Sequence, residues 1–359
     1  MSIVPPSLAV ITDGMTVTAS NYQPHIAIVT VEEDFHAYAI RKTLQDRHQV
    51  KCDIIETDRL ADSGKLTWSP TAAYAPILPT LGGQEVNVQE LDVIWWRRPS
   101  GTSWKKSHQP QLPPDVVDEA AIDVILNDCM ASFTGIMLNE FRGVWINHPD
   151  ASRKAENKLS QLRAALQAGL RVPKTLVSQD PQIIRDFCTA LNNQVIVKTV
   201  AGTTKAPLTT NQVNHALLSC DQTLRLSPAI YQEMISGTRH LRVNAFGDKF
   251  YAALITCDHL DWRVHLDEVV VEPYQLPKET ETGLGTFMNI LGLRMGIFDL
   301  KLDANGEPIW LEVNPQGQFL FVEGLSDMKL ADAFADFLFQ EATSYTSKFK
   351  TQESNKLHT

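Results

Sequence analysis

The sequence predicts a multidomain α/β protein, and three observations carry that prediction. His25-Ile-Ala-Ile-Val-Thr30 reads as a short buried strand, followed by a helix and a second strand over Cys52–Glu56. Strand, helix and strand within about thirty residues form a βαβ unit and hence a parallel sheet. Second, Ala155, Leu159, Leu162, Leu166 and Leu170 recur at spacings of four and three, the apolar stripe of a helix over 152–170. Third, extended runs meet at Gly247-Asp248 and at Asp303-Ala-Asn-Gly306, turn chemistry that joins antiparallel strands.

Taken in order, residues 1–23 show no period and read as an N-terminal arm, with Met15 an alternative start. Thr30-Val-Glu-Glu33 is a candidate capping box opening a helix to about Arg47. Val93–Arg98 is a further strand, Asp115–Asn139 one long helix and Val144–Asn147 a strand, closing an N-terminal α/β domain over 24–148. The 152–170 helix ends at Gly169 and Pro173 and opens a central domain over 149–235. Strand Val172–Ser178, helix Pro181–Leu191, strand Gln194–Val200 and the extended run Ala229–Ile235 follow within it. A C-terminal domain over 236–342 begins with the hairpin Leu241–Ala245 and Phe250–Thr256. A second extended pair covers 262–276, a helix Glu279–Leu291, a last hairpin Phe298–Leu302 with Ile309–Val313, and a closing helix Ala331–Phe339. Residues 343–359 read as a disordered polar tail.

Composition narrows the function. Of 359 residues, 43% are hydrophobic and 21% charged, an ordinary globular balance. The net charge of −10 argues against a nucleic-acid partner, which needs an excess of Lys and Arg. It leaves room for an anionic ligand in a locally cationic cleft. The five cysteines (Cys52, Cys129, Cys188, Cys220, Cys257) are scattered and odd in number, the pattern of reduced thiols in a cytoplasmic protein. No uncharged apolar run reaches the ~18 residues that span a bilayer, so no membrane association is expected. A basic segment leading into an apolar one, the mark of a secretory signal, is also missing from the N-terminus.

The residues with the most chemistry lie in Phe298-Asp-Leu-Lys-Leu-Asp-Ala-Asn-Gly-Glu-Pro-Ile-Trp-Leu-Glu-Val-Asn-Pro315. Paired across Asn305-Gly306, its halves bring Asp299 near Glu312 and Asn314, which are two apart and share a strand face. Three oxygen-bearing side chains on one patch suit Mg²⁺. A polar outer face is the alternative, but Glu312 and Asn314 sit between Leu311, Val313 and Pro315, where unpaired carboxylates are costly. Lys198 ends the apolar run Val195-Ile-Val, a place that calls for an anion to meet the ammonium. Lys158 lies at the edge of the leucine stripe, facing a cleft or snorkelling. Tyr231-Gln-Glu-Met-Ile235 is an extended stretch whose backbone could read an adenine edge. Taken alone, each of these three is an ordinary surface lysine or strand.

In this order, Lys158, Lys198, Gln232-Glu-Met-Ile-Ser-Gly237, Arg242, Asp299 and Glu312-x-Asn314 resemble the ATP-grasp superfamily over about 145–340. The resemblance implies the ATP-grasp fold behind an N-terminal α/β domain. Ala155-Glu-Asn-Lys-Leu, Gln232-Glu-Met, Leu241-Arg-Val, Asp261-Trp-Arg263, Pro273-Tyr-Gln-Leu-Pro277, Leu291-Gly-Leu and Leu311-Glu-Val-Asn-Pro-Gln-Gly-Gln-Phe319 narrow it further. They are similar to the graspetide ligases, the microviridin-type peptide maturases. That likeness implies a homodimeric ligase using ATP and Mg²⁺. It would phosphorylate Asp or Glu side chains of a leader-bearing ribosomal precursor peptide and join them to Ser, Thr or Lys.

By position, the resemblance assigns ATP phosphates to Lys158 and Lys198. It assigns adenine to Gln232, Glu233, Met234 and Ile235 with Leu311 beneath, and magnesium to Asp299, Glu312 and Asn314. Arg242 would face the transferred phosphoryl group, and Asp261 and Arg263 the acceptor carboxylate. Two departures stand out. Thr199-Val-Ala-Gly202-Thr-Thr-Lys205 has one glycine where relatives have a Gly-rich lid, and His240 stands where many have an acid. Trp95-Trp-Arg-Arg98 reads equally as a peptide grip or a buried strand end. The motifs G-x-S-x-G, H-E-x-x-H and the P-loop are absent. Two other readings remain: a glutathione-synthetase-like ligase acting on a free amino acid or a protein tail, and a nucleotide-binding regulatory module without turnover. The intact Asp/Glu/Asn set argues against the second.

Overall fold

The computed structural model describes residues 23–71, 73–99, 112, 114–201 and 210–356, the side chains after 345 excepted. The expected arm, up to residue 22, and the single-glycine segment from Gly202 onward lie outside the described residues.

The first sheet joins β1 (His25–Thr30), β2 (Lys51–Glu56), β5 (Val93–Trp96) and β6 (Val144–Ile146) in the order β2-β1-β5-β6, all parallel. Every residue of β1 and β5 is buried, as expected of parallel strands covered on both faces. Between β2 and β5 come the turn-sized helix α2 (Leu60–Ser63) and the small hairpin of β3 (Ile77–Pro79) and β4 (Glu85–Asn87). The first helix, α1 (Phe35–His48), is not opened by Thr30, which ends β1 with no exposure. Asp34 is the cap instead, accepting from His36 N at 3.2 Å, while Thr30 Oγ1 donates to the same carboxylate at 2.6 Å. The intervening turn needs Glu33 at φ 60°. Helix α3 (Glu119–Glu140) is long and apolar enough to cross a membrane by length and composition. It nevertheless carries Asp123 and Asp128, and buries Phe133, Ile136 and Met137 against this sheet.

The helix expected over 152–170 is two helices. Asn157, at φ −78° and ψ 111°, ends α4 (Pro149–Glu156) and caps α5 (Lys158–Gln167), accepting from Leu159 N and Ser160 N. Reorientation there defeats the leucine stripe: Leu159 and Leu166 are 46% and 60% exposed, and α5 buries Gln161, Ala164 and Ala165.

The central unit is an antiparallel sheet of β7 (Thr175–Ser178), β8 (Val195–Thr199), β9 (Asn211–Gln212) and β10 (Ala229–Glu233), ordered β7-β10-β8-β9. Helix α6 (Pro181–Ala190), capped by Asp180, covers it with the short α7 (His215–Leu218) and α8 (Asp221–Arg225). Ile184, Cys188, Val195, Leu224 and Tyr231 form a core of its own.

The third sheet runs β13-β12-β11-β14-β15, all antiparallel: β11 (Arg239–Phe246), β12 (Lys249–Thr256), β13 (Val270–Tyr274), β14 (Met295–Leu302) and β15 (Pro308–Asn314). The extended pair expected over 262–276 is half correct. Its first part is a single 3-10 turn, Trp262–Val264, because Asp261 caps it by accepting from Arg263 N. Helix α9 (Lys278–Leu291) ends at Gly292, φ 72°. After α10 (Leu320–Leu325), α11 runs unbroken from Leu330 to Lys356, so the described part of the segment expected as a disordered tail continues a helix.

Ile26, Ile28 and Trp95 of the first sheet share one core with Phe246, Ile255, Met295 and Ile297 of the third and with Phe319 and Phe334. Asn147, fully buried, ties the same two sheets. Its Nδ2 donates to Met295 O (2.9 Å) and Pro315 O (3.1 Å), and its Oδ1 accepts from Arg294 N and Met295 N.

Candidate active site

The site is built on the β14–β15 pair. Asp299 lies opposite Glu312, and Ile297 opposite Asn314. The register then shifts: Leu300 faces Trp310, leaving Leu311 as the extra residue of a bulge. Strict alternation would send Leu311 to the face opposite Glu312; bulges re-aim side chains beside functional sites. Leu311 and Glu312 accordingly line the same cavity.

That cavity lies between the central and third sheets. Its wall includes Lys198, Gln232, Glu233, Met234, Ile235, Asp261, Arg263, Asp299, Leu311 and Glu312, ten of the residues singled out in the sequence. Lys158 borders an adjoining recess with Lys198 and Glu312, its Nζ 3.8 Å from the Glu312 carboxylate. It is held there by Gln161, whose amide brackets the strand: Nε2 donates to Val313 O (2.9 Å) and Oε1 accepts from Val313 N (3.0 Å). Lys198 Nζ donates to Gln232 Oε1 at 2.9 Å, and Gln232 Nε2 donates in turn to Thr175 Oγ1 at 2.9 Å.

The electrostatics are those of cations and carboxylates crowded out of water. Burial lowers the Lys198 pKa, Glu312 opposes the shift, and Lys158 and Arg263 add to it. Burial pushes the Asp299 carboxyl up; Arg242 works against that and the Glu312 charge reinforces it. Asp261 grips Arg263 through both oxygens at 2.7 Å, which raises the guanidinium pKa and leaves one arm 3.4 Å from Glu312. Two neighbouring carboxylates with raised mutual repulsion suit a divalent cation between them, and hard oxygen donors are what Mg²⁺ takes.

Two expected residues sit at the edges. Arg242 is buried behind Asp299, donating to both of its oxygens at 2.9 Å and to Gln318 O at 2.8 Å. Asn314 is exposed; its Oδ1 accepts from Gln316 N at 3.0 Å, and it borders a second cavity with Arg97, Arg98 and Gln316. Gly317 lets that loop pass, because a Cβ there would lie 2.7 Å from Ile297 Cβ. His240 borders the first cavity, neutral at working pH because burial and then the Lys301 charge lower its pKa to about 4, against the pull of Asp261. The Trp95–Arg98 segment proves to be both buried strand end and cavity wall.

Sequence reasoning missed Gln161, Asn147 and His36, and gave Arg97 only as part of the Trp95–Arg98 cluster. His36 Nε2 accepts from Phe319 N (3.1 Å) and Leu320 N (3.2 Å), fixing the loop beyond Asn314 to α1. Gln161 carried no usable signal, because the leucine stripe placed it on the side away from the core, and only the break at Asn157 buries it.

No family model and no curated protein matches the sequence. Among solved structures, the chain is similar to the macrocyclase MdnC of Microcystis aeruginosa MRC bound with precursor peptide MdnA. The TM-score is 0.76 at 25% identity, over 88% of this chain and 99% of that one. A RiPP-associated ATP-grasp ligase of Chryseobacterium gregarium, solved with ADP and a leader and core peptide, superposes at TM-score 0.74 with 19% identity, over 89% and 97%. The D-cycloserine synthetase DcsG shares the fold more distantly, at 0.55 and 16% over 88% and 99%. The architecture expected from the sequence is therefore the one present, the ATP-grasp fold.

Proposed function

We infer that this chain, an ATP-grasp ligase of the graspetide macrocyclase kind, activates side-chain carboxylates of a ribosomal precursor peptide with ATP and closes them onto neighbouring nucleophiles. The observation that carries the reading is the convergence of Lys158, Lys198, Arg263, Asp299 and Glu312 on one cleft walled by Gln232–Ile235. Phosphoryl transfer needs positioning and charge neutralisation more than covalent chemistry from the protein, and that set supplies both.

The extended stretch 232–235 and Leu311 flank the adenine, and the two lysines meet the phosphates. Asp299, Glu312 and Asn314 would hold magnesium, which when bound offsets charge on the terminal phosphates. Arg242 keeps Asp299 oriented, and Arg263, anchored by Asp261, meets the carboxylate end of the reaction. A carboxylate oxygen of the peptide attacks the γ-phosphorus and ADP leaves. A Ser or Thr hydroxyl, or a Lys amine, then attacks the acyl carbon and phosphate leaves with the nucleophile's proton. Each bond removes one water from the peptide.

A cytoplasmic setting and a homodimer belong to the same reading. The exposed apolar side of α3, with Val124 58% and Leu138 42% exposed, supports pairing. The test is chemical: enzyme, magnesium, ATP and an acidic, Thr-rich precursor should yield ADP and phosphate, and hydroxylamine should trap the activated side chain as a hydroxamate. AMP and pyrophosphate among the products would overturn the mechanism.

A further inference from the structure

The segment between β12 and β13 carries more chemistry than the cleft uses. Asp261 and Arg263 line the cleft, and Trp262 between them is buried, its ring centroid 5.7 Å from that of Phe321. Two tight turns follow this anchor: His265 N donates to Trp262 O and Glu268 N to His265 O, each at 3.0 Å. They bring His265 and Glu268 back onto His259 at the start of the segment.

Both imidazoles turn to the same carboxylate. His259 Nε2 lies 2.9 Å from one oxygen of Glu268, and His265 Nδ1 lies 3.3 Å from the other. His259 and then His265 hold the Glu268 carboxyl below its usual range, so it is ionised at neutral pH and can only accept. One ligand atom from each of the three residues lies within 4.8 Å of the other two. The side chains of His259, His265 and Glu268 are 41%, 33% and 55% exposed, within reach of an ion from solvent. As ion pairs alone they would add little to the fold, because exposed pairs are weak.

Two imidazoles and a carboxylate are a donor set for borderline divalent ions, whereas Mg²⁺ takes oxygen throughout. A tetrahedron of ~2.0–2.1 Å bonds has edges of ~3.3 Å, close to the two nitrogen–oxygen separations. A neutral imidazole carries its proton on either nitrogen, so each ring frees the lone pair facing Glu268 by moving the proton to its other nitrogen. An ion lies in the plane of each ring that binds it. The rings stack face to face, 3.6 Å between centroids and 8° from parallel, so they must turn apart to share one. Partly exposed side chains have the rotamer freedom to do so.

We propose that His259, His265 and Glu268 form a binding site for a divalent transition-metal ion of the Zn²⁺ kind, separate from Asp299, Glu312 and Asn314, with water completing its shell. The ion cross-links the two ends of the segment and so fastens the turn that presents Arg263 to the cleft.

The test uses the full-length protein without an affinity tag, stripped with chelator and then saturated with ADP and Mg²⁺. Co²⁺ titrated into it should raise visible d–d bands that reach their end point at one equivalent. Zn²⁺, whose filled d shell gives no such bands, should displace the cobalt and bleach them. His259→Ala and Glu268→Ala should each weaken Co²⁺ binding by ~100-fold or more, beyond what losing a supporting hydrogen bond around a metal costs. Neither side chain is buried, so both stripped variants should melt with the stripped wild type. No visible bands in wild type, or bands with the same end point and affinity in both variants, would overturn the site. Metal binding is read without turnover, so its failure leaves the ligase proposal untouched.

Discussion

His36→Gln tests how the loop beyond β15 is fastened, and the structure sets the size of the effect. The imidazole Nε2 accepts from Phe319 N and Leu320 N, so the ring must be neutral there. Burial, then the charge of Arg97, lower its pKa from 6.5 to about 3, with Asp34 pulling the other way. Between those values the unfolded chain binds a proton that the folded chain refuses, so stability rises with pH and is complete only above 6.5. At 1.36 kcal/mol per unit, taking pH from 7 down to 5 should cost about 2 kcal/mol through this one group. Glutamine places an acceptor oxygen near the position of Nε2 and does not titrate. Urea unfolding of both proteins at pH 7 and pH 5 isolates the difference, because every other group titrates in both. Parallel pH dependences would refute the argument, as would a His36 resonance that titrates near 6.5.

Two substitutions probe the cleft directly. Lys198→Ala removes an ammonium whose one hydrogen bond is to Gln232. It should weaken binding of a non-hydrolysable ATP analogue ~10-fold or more in calorimetry while the melting temperature barely moves; wild-type affinity would take Lys198 out of the site. Glu312→Gln, and separately Asn314→Ala, should abolish product formation by mass spectrometry with little change in stability. Activity surviving both would refute the metal role of this strand.

The catalytic strand was legible because its logic is local. A tight Asn-Gly turn sets the two halves of the hairpin side by side and brings Asp299 opposite Glu312. The bulge at Leu311 was not legible, since nothing in Trp-Leu-Glu announces a register shift. Asn157 was overlooked although its meaning was available: an Asn before Lys-Leu-Ser is a good helix cap, but the leucine period suggested one helix where cap chemistry made two. The contacts of His36, Asn147 and Arg97 lay beyond sequence reasoning for another reason. Their partners stand 63 to 284 residues away, and no local pattern distinguishes a polar residue that bridges sheets from one facing solvent. The closing helix was cut short because its last turns are polar, while the chain continues the helix begun where Phe334 and Leu338 are packed.

Asn147 has a mechanical meaning. By stitching β6 to the start of β14 and the end of β15, it welds the outer two thirds of the molecule into a single block, and Gln161 clamps α5 onto the same block. The small central sheet, with its private core, joins that block through two chain crossings, near 168–174 and 233–239, the second of which holds Gly237 at φ 105°. The cleft thus lies between two jaws, the fixed block and the central sheet, which the Thr210 backbone N–H also ties together by donating to Asp261. Lys158 belongs to the fixed jaw, and Lys198 with its Gln232 strut to the other. Any movement that widens the mouth must draw the two ammonium groups apart, so under the proposed function a polyphosphate held by both would resist that opening.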